Sequence, residues 1–246
     1  MFGGMTKETK NGGGSTNDLF SFDLTKNYWQ FIKAKPKDGD RRNLPIPREE
    51  HTAVLYEDYI VIFGGFVGGE GAWEEAGHRV KRTNEMFSYS TADNTWERLK
   101  VKGKKPCPRS GHSAVQRIKH QGEFQWQEQM FVFGGKNGTD AKLNDLWQFD
   151  FVKNAGRWTE IKCDNPPPPR SGHSASIYKD RYMVIFGGIA EVTKELNDMY
   201  LFDFNEEKWI CLFRPLPSPQ KLKSYDNRNA STITDYMMKS FETGSN

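Results

Sequence analysis

Apolar and polar positions along this chain of 246 residues alternate in short runs punctuated by turn-forming residues. That pattern predicts antiparallel strands joined by tight connections. In the stretch 108–158, His112-Ser113-Ala114-Val115 opens one strand, 129–133 forms a second, 145–149 alternates as a third and 157–161 fits a fourth. We label them A to D. Turn residues fall between them: 56–58 and 178–180 join A to B, while 91–94 and 154–156 join C to D.

The four-strand pattern recurs with its motifs in fixed order. Pro108-Arg109-Ser110-Gly111-His112 is followed by Phe133-Gly134-Gly135, Asn144-Asp145-Leu146-Trp147, Phe149-Asp150 and Trp158. The next copy reads Pro169-Arg170-Ser171-Gly172-His173, Phe186-Gly187-Gly188, Asn197-Asp198-Met199-Tyr200, Phe202-Asp203 and Trp209. Upstream are Pro47-Arg48-Glu49-Glu50-His51, Phe63-Gly64-Gly65, Asn84-Glu85-Met86-Phe87 and Trp96. An incomplete first copy carries Phe2-Gly3-Gly4, Asn17-Asp18-Leu19-Phe20 and Trp29, so the chain is expected to begin in mid-repeat, without a strand A. The glycine pairs lie 61, 70 and 53 residues apart. The excess is an insertion at 66–83, in the B–C loop of the second copy, and another at 116–128, expected to lengthen the A–B loop of the third. Repetition near this period marks an array in which no unit buries its apolar face alone. The units run 1–32 (partial), about 47–99, 108–161 and 169–212, followed by a proline-rich linker and an expected disordered tail over 213–246.

Each recurring residue type has a steric reading. The pairs Gly64-Gly65, Gly134-Gly135 and Gly187-Gly188 are expected where a neighbouring backbone or aromatic ring leaves no room for a Cβ. Trp29, Trp96, Trp158 and Trp209 follow the Asn of their repeat by 12 or 14 residues and are placed between adjacent sheets. His51, His112 and His173 occur once per repeat, which sets them apart from one another; a strand-end hydrogen bond suits them better than a metal site.

In this order the motifs resemble the kelch repeat of kelch-type β-propellers, over roughly residues 1–212. The resemblance implies an all-β fold of about four consecutive four-stranded blades, the first incomplete. Kelch propellers usually close a ring with more blades than this, which points to an open arc, self-association through the unpaired blade, or blades supplied by additional sequence. The resemblance also implies a protein-interaction module. Some kelch adaptors of ubiquitin ligases grip acidic peptides with arginines at this motif position. Arg109 and Arg170 match that context fully, and Arg48 matches in the arginine alone. The alternative for all three is an ion pair with an acid of the neighbouring blade. A scaffold role in cytoskeletal or membrane-traffic assemblies is the second functional reading. A copper-oxidase propeller is the third, which Cys107, Cys163 and Cys211 do not support.

Charge sharpens the first reading. The net charge is only +3, yet the D–A connections 33–48, 100–109 and 162–170 together hold thirteen basic and three acidic residues, a net of +10. With strands alternating in direction, those connections share one end with the B–C loops. The expectation is a basic face that binds an acidic protein segment, with Lys102, Lys104 and Lys105 contributing and Trp73 and Trp126 as exposed anchors. The interleaved aromatics of a nucleic-acid site are missing, and no GxSxG, HExxH or phosphate-loop motif occurs, so neither nucleic acid, catalysis nor a cofactor is expected. Three cysteines without a CxxC pair point to a reducing, cytoplasmic setting, and no apolar run reaches membrane-spanning length.

Overall fold

A computed structural model of the chain describes residues 1–9, 12–67, 81–101, 103–120, 126–152, 155–192 and 194–213. The expected linker and tail beyond 213 lie outside these residues. Blade 1 holds three strands, β1 (Phe2–Thr9), β2 (Gly12–Asp23) and β3 (Tyr28–Phe31), in that order. A short β4 (Lys35–Pro36) and two single 3-10 turns then lead to blade 2. Blade 2 comprises β5 (Thr52–Tyr56), β6 (Tyr59–Phe63), β9 (Met86–Ser90) and β10 (Thr95–Arg98), with a small ribbon of β7 (Phe66–Val67) and β8 (Lys81–Arg82) at the base of the B–C insertion. After β11 (Lys100–Val101), blade 3 runs β12 (Ser113–His120), β13 (Trp126–Lys136), β14 (Lys142–Val152) and β15 (Ala155–Ile161). Blade 4 is β16 (Ser174–Tyr178), β17 (Tyr182–Ile189), β18 (Glu195–Asp203) and β19 (Lys208–Phe213). Neighbours within each blade are antiparallel, A to D, as the sequence pattern predicts. The A strands lie innermost, with β12 beside both β5 and β16.

The pleat explains the composition of the strands. Along β13, Met130 and Val132 enter the apolar cluster shared with blade 2, whereas Phe131 and Phe133 enter the cluster shared with blade 4. Alternate side chains leave a strand on opposite faces, so a strand covered on both sides is apolar without interruption. Among the described residues there are three such clusters, one per junction between consecutive blades, and each holds one blade tryptophan: Trp96, Trp158 or Trp209. Trp29 departs from its expected place between sheets. It is 56% exposed, against 2%, 3% and 7% for the other three, because no blade lies before blade 1 in the described structure.

Two further expectations are corrected. The insertion in blade 3 does not simply lengthen a loop: strands A and B themselves extend, pairing out to His120 and Trp126. Ala155 and Gly156, expected in a turn, are the first residues of β15. Among the described residues, no helix is long and apolar enough to cross a membrane.

The paired glycines divide two tasks. A Cβ on Gly64 would lie 2.8 Å from the His112 ring and 2.9 Å from the Arg109 carbonyl, both of the next blade. A Cβ on Gly65 would lie 2.8 Å from His51 and 2.9 Å from the Glu49 carbonyl, in its own blade. Gly4 has nearly the same backbone as Gly65 (φ +105° and +102°) but nothing within 4 Å of its Cβ position. Gly65→Ala should therefore destabilise the protein by about 1–3 kcal/mol more than Gly4→Ala, the usual cost of overpacking. Equal losses in urea titrations would show that backbone strain, and not the close approach, sets the glycine requirement.

Candidate functional site

Among the described residues the three motif arginines are the largest of the fully buried side chains. They occupy equivalent settings. The Arg109 backbone bonds to blade 2, donating from N–H to the Thr83 carbonyl and accepting from the Gly65 N–H. Its side chain bonds to blade 3: Nη1 donates to the Gly134 carbonyl at 3.0 Å and to Asp145 Oδ1 at 2.8 Å, and Nη2 to Asp145 Oδ2 at 2.7 Å. Arg170 repeats this between blades 3 and 4, with Leu143 and Gly135 behind it and Gly187 and Asp198 ahead. Arg48 does so between blades 1 and 2, with Thr16 and Gly4 behind and Gly64 and Glu85 ahead. Each arginine is thus a staple whose main chain belongs to one blade and whose guanidinium belongs to the next. The planar, five-donor group suits such a fork. This corrects the expectation that Arg48, Arg109 and Arg170 grip a partner: their donors are spent within the fold and none reaches the surface. The ion-pair alternative holds, with the acid on the arginine's own blade and the backbone on the preceding one.

The histidines complete the same seam. His112 Nε2 meets Thr52 Oγ1 at 2.8 Å and His173 Nε2 meets Ser113 Oγ at 2.8 Å, each on strand A of the preceding blade. Their rings stand edge-on to Phe63 and Phe133 at 5.2 and 5.4 Å, the same phenylalanines that Trp158 and Trp209 approach to 4.9 Å. Burial, followed by the charge of the adjacent arginine, depresses His51 and His173 to about 4 and pushes His112 well below the ordinary imidazole range. These are neutral, structural rings at physiological pH.

The basic residues of the D–A connections do not gather on one rim. Both long connections turn back as edge strands along the following blade, β4 parallel to β10 and β11 parallel to β15. Lys33 and Lys35 consequently lie against Asn94, in the C–D turn of blade 2, and Lys100 pairs with Ala155 at the corresponding end of blade 3. The charge forms a band around the outer wall instead. Within it, Lys37 pairs with Glu97, Arg42 with Asp40, and Lys104 with Glu160 while resting over the Trp147 ring. Among the described residues Lys33, Lys35, Arg41, Lys100 and Lys105 are exposed cations with no carboxylate partner. Arg42, Arg98, Lys100 and Lys105 line a cleft of about 610 Å³ between the first D–A connection and blade 2, together with Glu85, Glu97, Asp38 and Asp40. Trp126 is 66% exposed and stands at the A–B end of blade 3. Trp73 and Lys102 lie outside the described residues.

A second polar group went unnoticed in the sequence. Glu50 accepts from Ser110 Oγ at 2.7 Å and pairs with Lys136, while Arg82 donates to Ser110 Oγ and to Asp140. Glu50, one of the two glutamates that break the motif in blade 2, thus bridges to blade 3. Burial works against the Glu50 carboxylate, but the Ser110 hydroxyl and Lys136 outweigh it and hold its pKa below the usual value.

Radially stacked antiparallel sheets with stapled seams define a segment of a kelch-type β-propeller. The chain belongs to the family described as the KLHDC2/KLHL20/DRC7 Kelch-repeats domain, which matches residues 1–122 and 71–235. Similar proteins include an F-box/kelch-repeat protein of Arabidopsis thaliana, 27% identical over 82% of this chain and 40% of its own length. The host cell factor homolog hcf-1 of Caenorhabditis elegans is 29% identical over 85% of this chain and 25% of its length. Leucine-zipper-like transcriptional regulator 1 of Mus musculus is 28% identical over 92% of this chain and 25% of its length. The chain therefore spans less than half of each of these relatives. The solved structure of YjhT shares the fold with a TM-score of 0.59 at 15% identity, covering 85% of this chain and 65% of that one.

Proposed function

We propose that the chain is a protein-interaction module, not an enzyme, and that it binds an acidic protein segment along the basic outer wall of blades 2 and 3, in the manner of an adaptor. The observation that carries this reading is the band of exposed cations, Lys33, Lys35, Arg41, Lys100 and Lys105, which lack carboxylate partners among the described residues. Like charges left unpaired along one wall attract an acidic partner from a distance and lose that pull as salt rises. The motif arginines and histidines support a non-catalytic reading, because the guanidinium groups are buried against their own blades and His112 and His173 each meet a hydroxyl of the preceding blade. The test is binding of an acidic peptide to wild type and to Lys100→Glu/Lys105→Glu over a salt series. The double reversal should slow association by about tenfold or more at low salt and flatten the salt dependence. An unchanged association rate would reject the outer wall as the site.

A further inference from the structure

We propose that the cleft between the first D–A connection and blade 2 seats a carboxylate side chain of an acidic partner on Arg98, and that its arrival lets Glu85 close onto the buried Arg48. The inference rests on the reading of the outer wall as an acid-binding surface and says where on that wall a carboxylate is gripped. The cleft, of about 610 Å³, lies where two connections meet strand D of blade 2. Asn43 Oδ1 accepts from the Arg98 N–H and holds the first connection in place. The Asn84 amide donates to the Pro106 carbonyl and draws the second connection, with Lys105, against blade 2. Lys100 and Lys105 line the cleft as exposed cations without a carboxylate partner among the described residues.

Arg98 has no counterpart in the other complete blades. Two residues after the blade tryptophan, blade 3 has Glu160 and blade 4 has Cys211. Alternate residues leave a strand on the same face, so all three stand on the tryptophan side of strand D. Glu160 is engaged there by Lys104 and Lys162. The Arg98 side chain is instead 51% exposed and has one carboxylate beside it, Glu85 Oε1 at 2.8 Å. A guanidinium offers more donors than one carboxylate oxygen can take. An incoming carboxylate therefore finds a planar fork it can bind through both oxygens.

Glu85 is the acid that two cations share. Asp145 holds Arg109 through both oxygens and takes a further bond from Trp147 Nε1, and Asp198 holds Arg170 through both oxygens. Glu85 is longer by one methylene and has Phe87 where blade 3 has Trp147, so it lacks that third donor. It reaches Arg48 with one oxygen at 3.4 Å while Arg98 holds the other. The exposed cation thus competes with the buried one for a single acid. A ligand carboxylate that occupies Arg98 relieves the competition. Glu85 then pairs with Arg48 alone, and the partner tightens the junction of blades 1 and 2 as it binds.

The probe is an oligoglutamate peptide, N-acetylated and C-amidated so that all its carboxylates are side chains, with the glutamine analogue as control. It is titrated against the full chain by fluorescence anisotropy. Arg98→Gln should weaken binding at least about tenfold, the scale of a lost charge-assisted pair. The same variant should keep the wild-type urea midpoint, because Glu85 turns to Arg48. Glu85→Gln should do the reverse: it tightens binding, since Arg98 loses its competitor, and lowers the midpoint, since Arg48 loses its counter-charge. Asp38→Asn removes the same charge from an exposed acid of this cleft and should change neither quantity appreciably. A midpoint that falls together with affinity in Arg98→Gln makes Arg98 a structural residue and overturns the proposal. Tightening by Asp38→Asn as large as that by Glu85→Gln also overturns it, because bulk charge then explains both. Affinity lost in Lys100→Glu/Lys105→Glu but kept in Arg98→Gln overturns this inference alone and leaves the outer wall as the site. Oligoglutamate that fails to bind wild type, or binds no better than the glutamine analogue, overturns both.

Discussion

Arg170→Ala is expected to lower the unfolding free energy by about 3–5 kcal/mol, the range for removing one partner of a buried ion pair. The size follows from what stays behind. Asp198 has a side chain only 6% exposed and would keep its charge with no counter-ion, while the Gly187 carbonyl would lose a donor. The other two staples grade the prediction. Asp145 and Glu85 are each 26% exposed, so water can reach them once the arginine is gone. Glu85 sits a longer 3.4 Å from Arg48 and has a second cation in Arg98. Burial, only partly offset by Glu85, brings Arg48 down to about 10. The losses should therefore rank Arg170, Arg109, Arg48, and Arg170→Lys should recover little, since an ammonium cannot reach Pro168, Gly187 and Asp198 together. Urea unfolding followed by tryptophan fluorescence measures all four variants; equal losses across the three alanine variants would contradict the account.

Acid should loosen the seams well before the carboxylates protonate. His51 and His173 resist protonation until about pH 4 in the folded protein, mainly because they are buried and secondly because Arg48 and Arg170 stand beside them. An unfolded histidine takes up its proton near 6.5. The unfolded chain therefore binds more protons below about 6.5, and stability falls as pH drops from there towards 4, while above 6.5 it is unaffected. Each of these two histidines contributes about 1.4 kcal/mol of loss per pH unit within that window, or about 3 kcal/mol by pH 4. His112 acts in the same direction. The combined loss is comparable with the whole stability of an ordinary domain. Urea midpoints between pH 7.5 and 4.5 should fall steadily, and His173→Gln should reduce the slope. A midpoint that is constant from pH 7 to 5 would refute the assignment of these rings as buried and neutral.

The blades were legible in the sequence because sterics repeat. Gly64-Gly65 and Trp158 tolerate no substitute where a carbonyl or a phenylalanine ring fills the space, so the same letters return in each copy. The arginines were harder to read. A charged residue at the head of a strand looks available, and its true partner is 28 to 37 residues away. The signal was nevertheless present: the acid after the motif Asn, in Glu85, Asp145 and Asp198, recurs in each copy that has an arginine. Charge counting failed for another reason. A tally by connection assumes that connections stay at the ends of strands, and two-residue strands such as Lys35–Pro36 and Lys100–Val101 carry too little pattern to reveal that they lie along the next blade. Trp126 is exposed where strands A and B of blade 3 extend beyond the length the sequence pattern predicts.

One layer of the seam between blades is written in main-chain atoms. A carbonyl of Thr16, Thr83 or Leu143 serves the arginine N–H equally well, and the glycine N–H that returns the bond is the same in all three junctions. These main-chain bonds do not depend on which side chain stands at 16, 83 or 143, while the spacings of 53 and 70 residues between glycine pairs arise in the loops outside the seam. A repeat can therefore be exchanged only with the side chains that meet its neighbour, the Phe-Gly-Gly motif, the blade tryptophan and the histidine, in place. Evolution is free to diversify the outer wall and the hairpin tips while the joinery stays interchangeable.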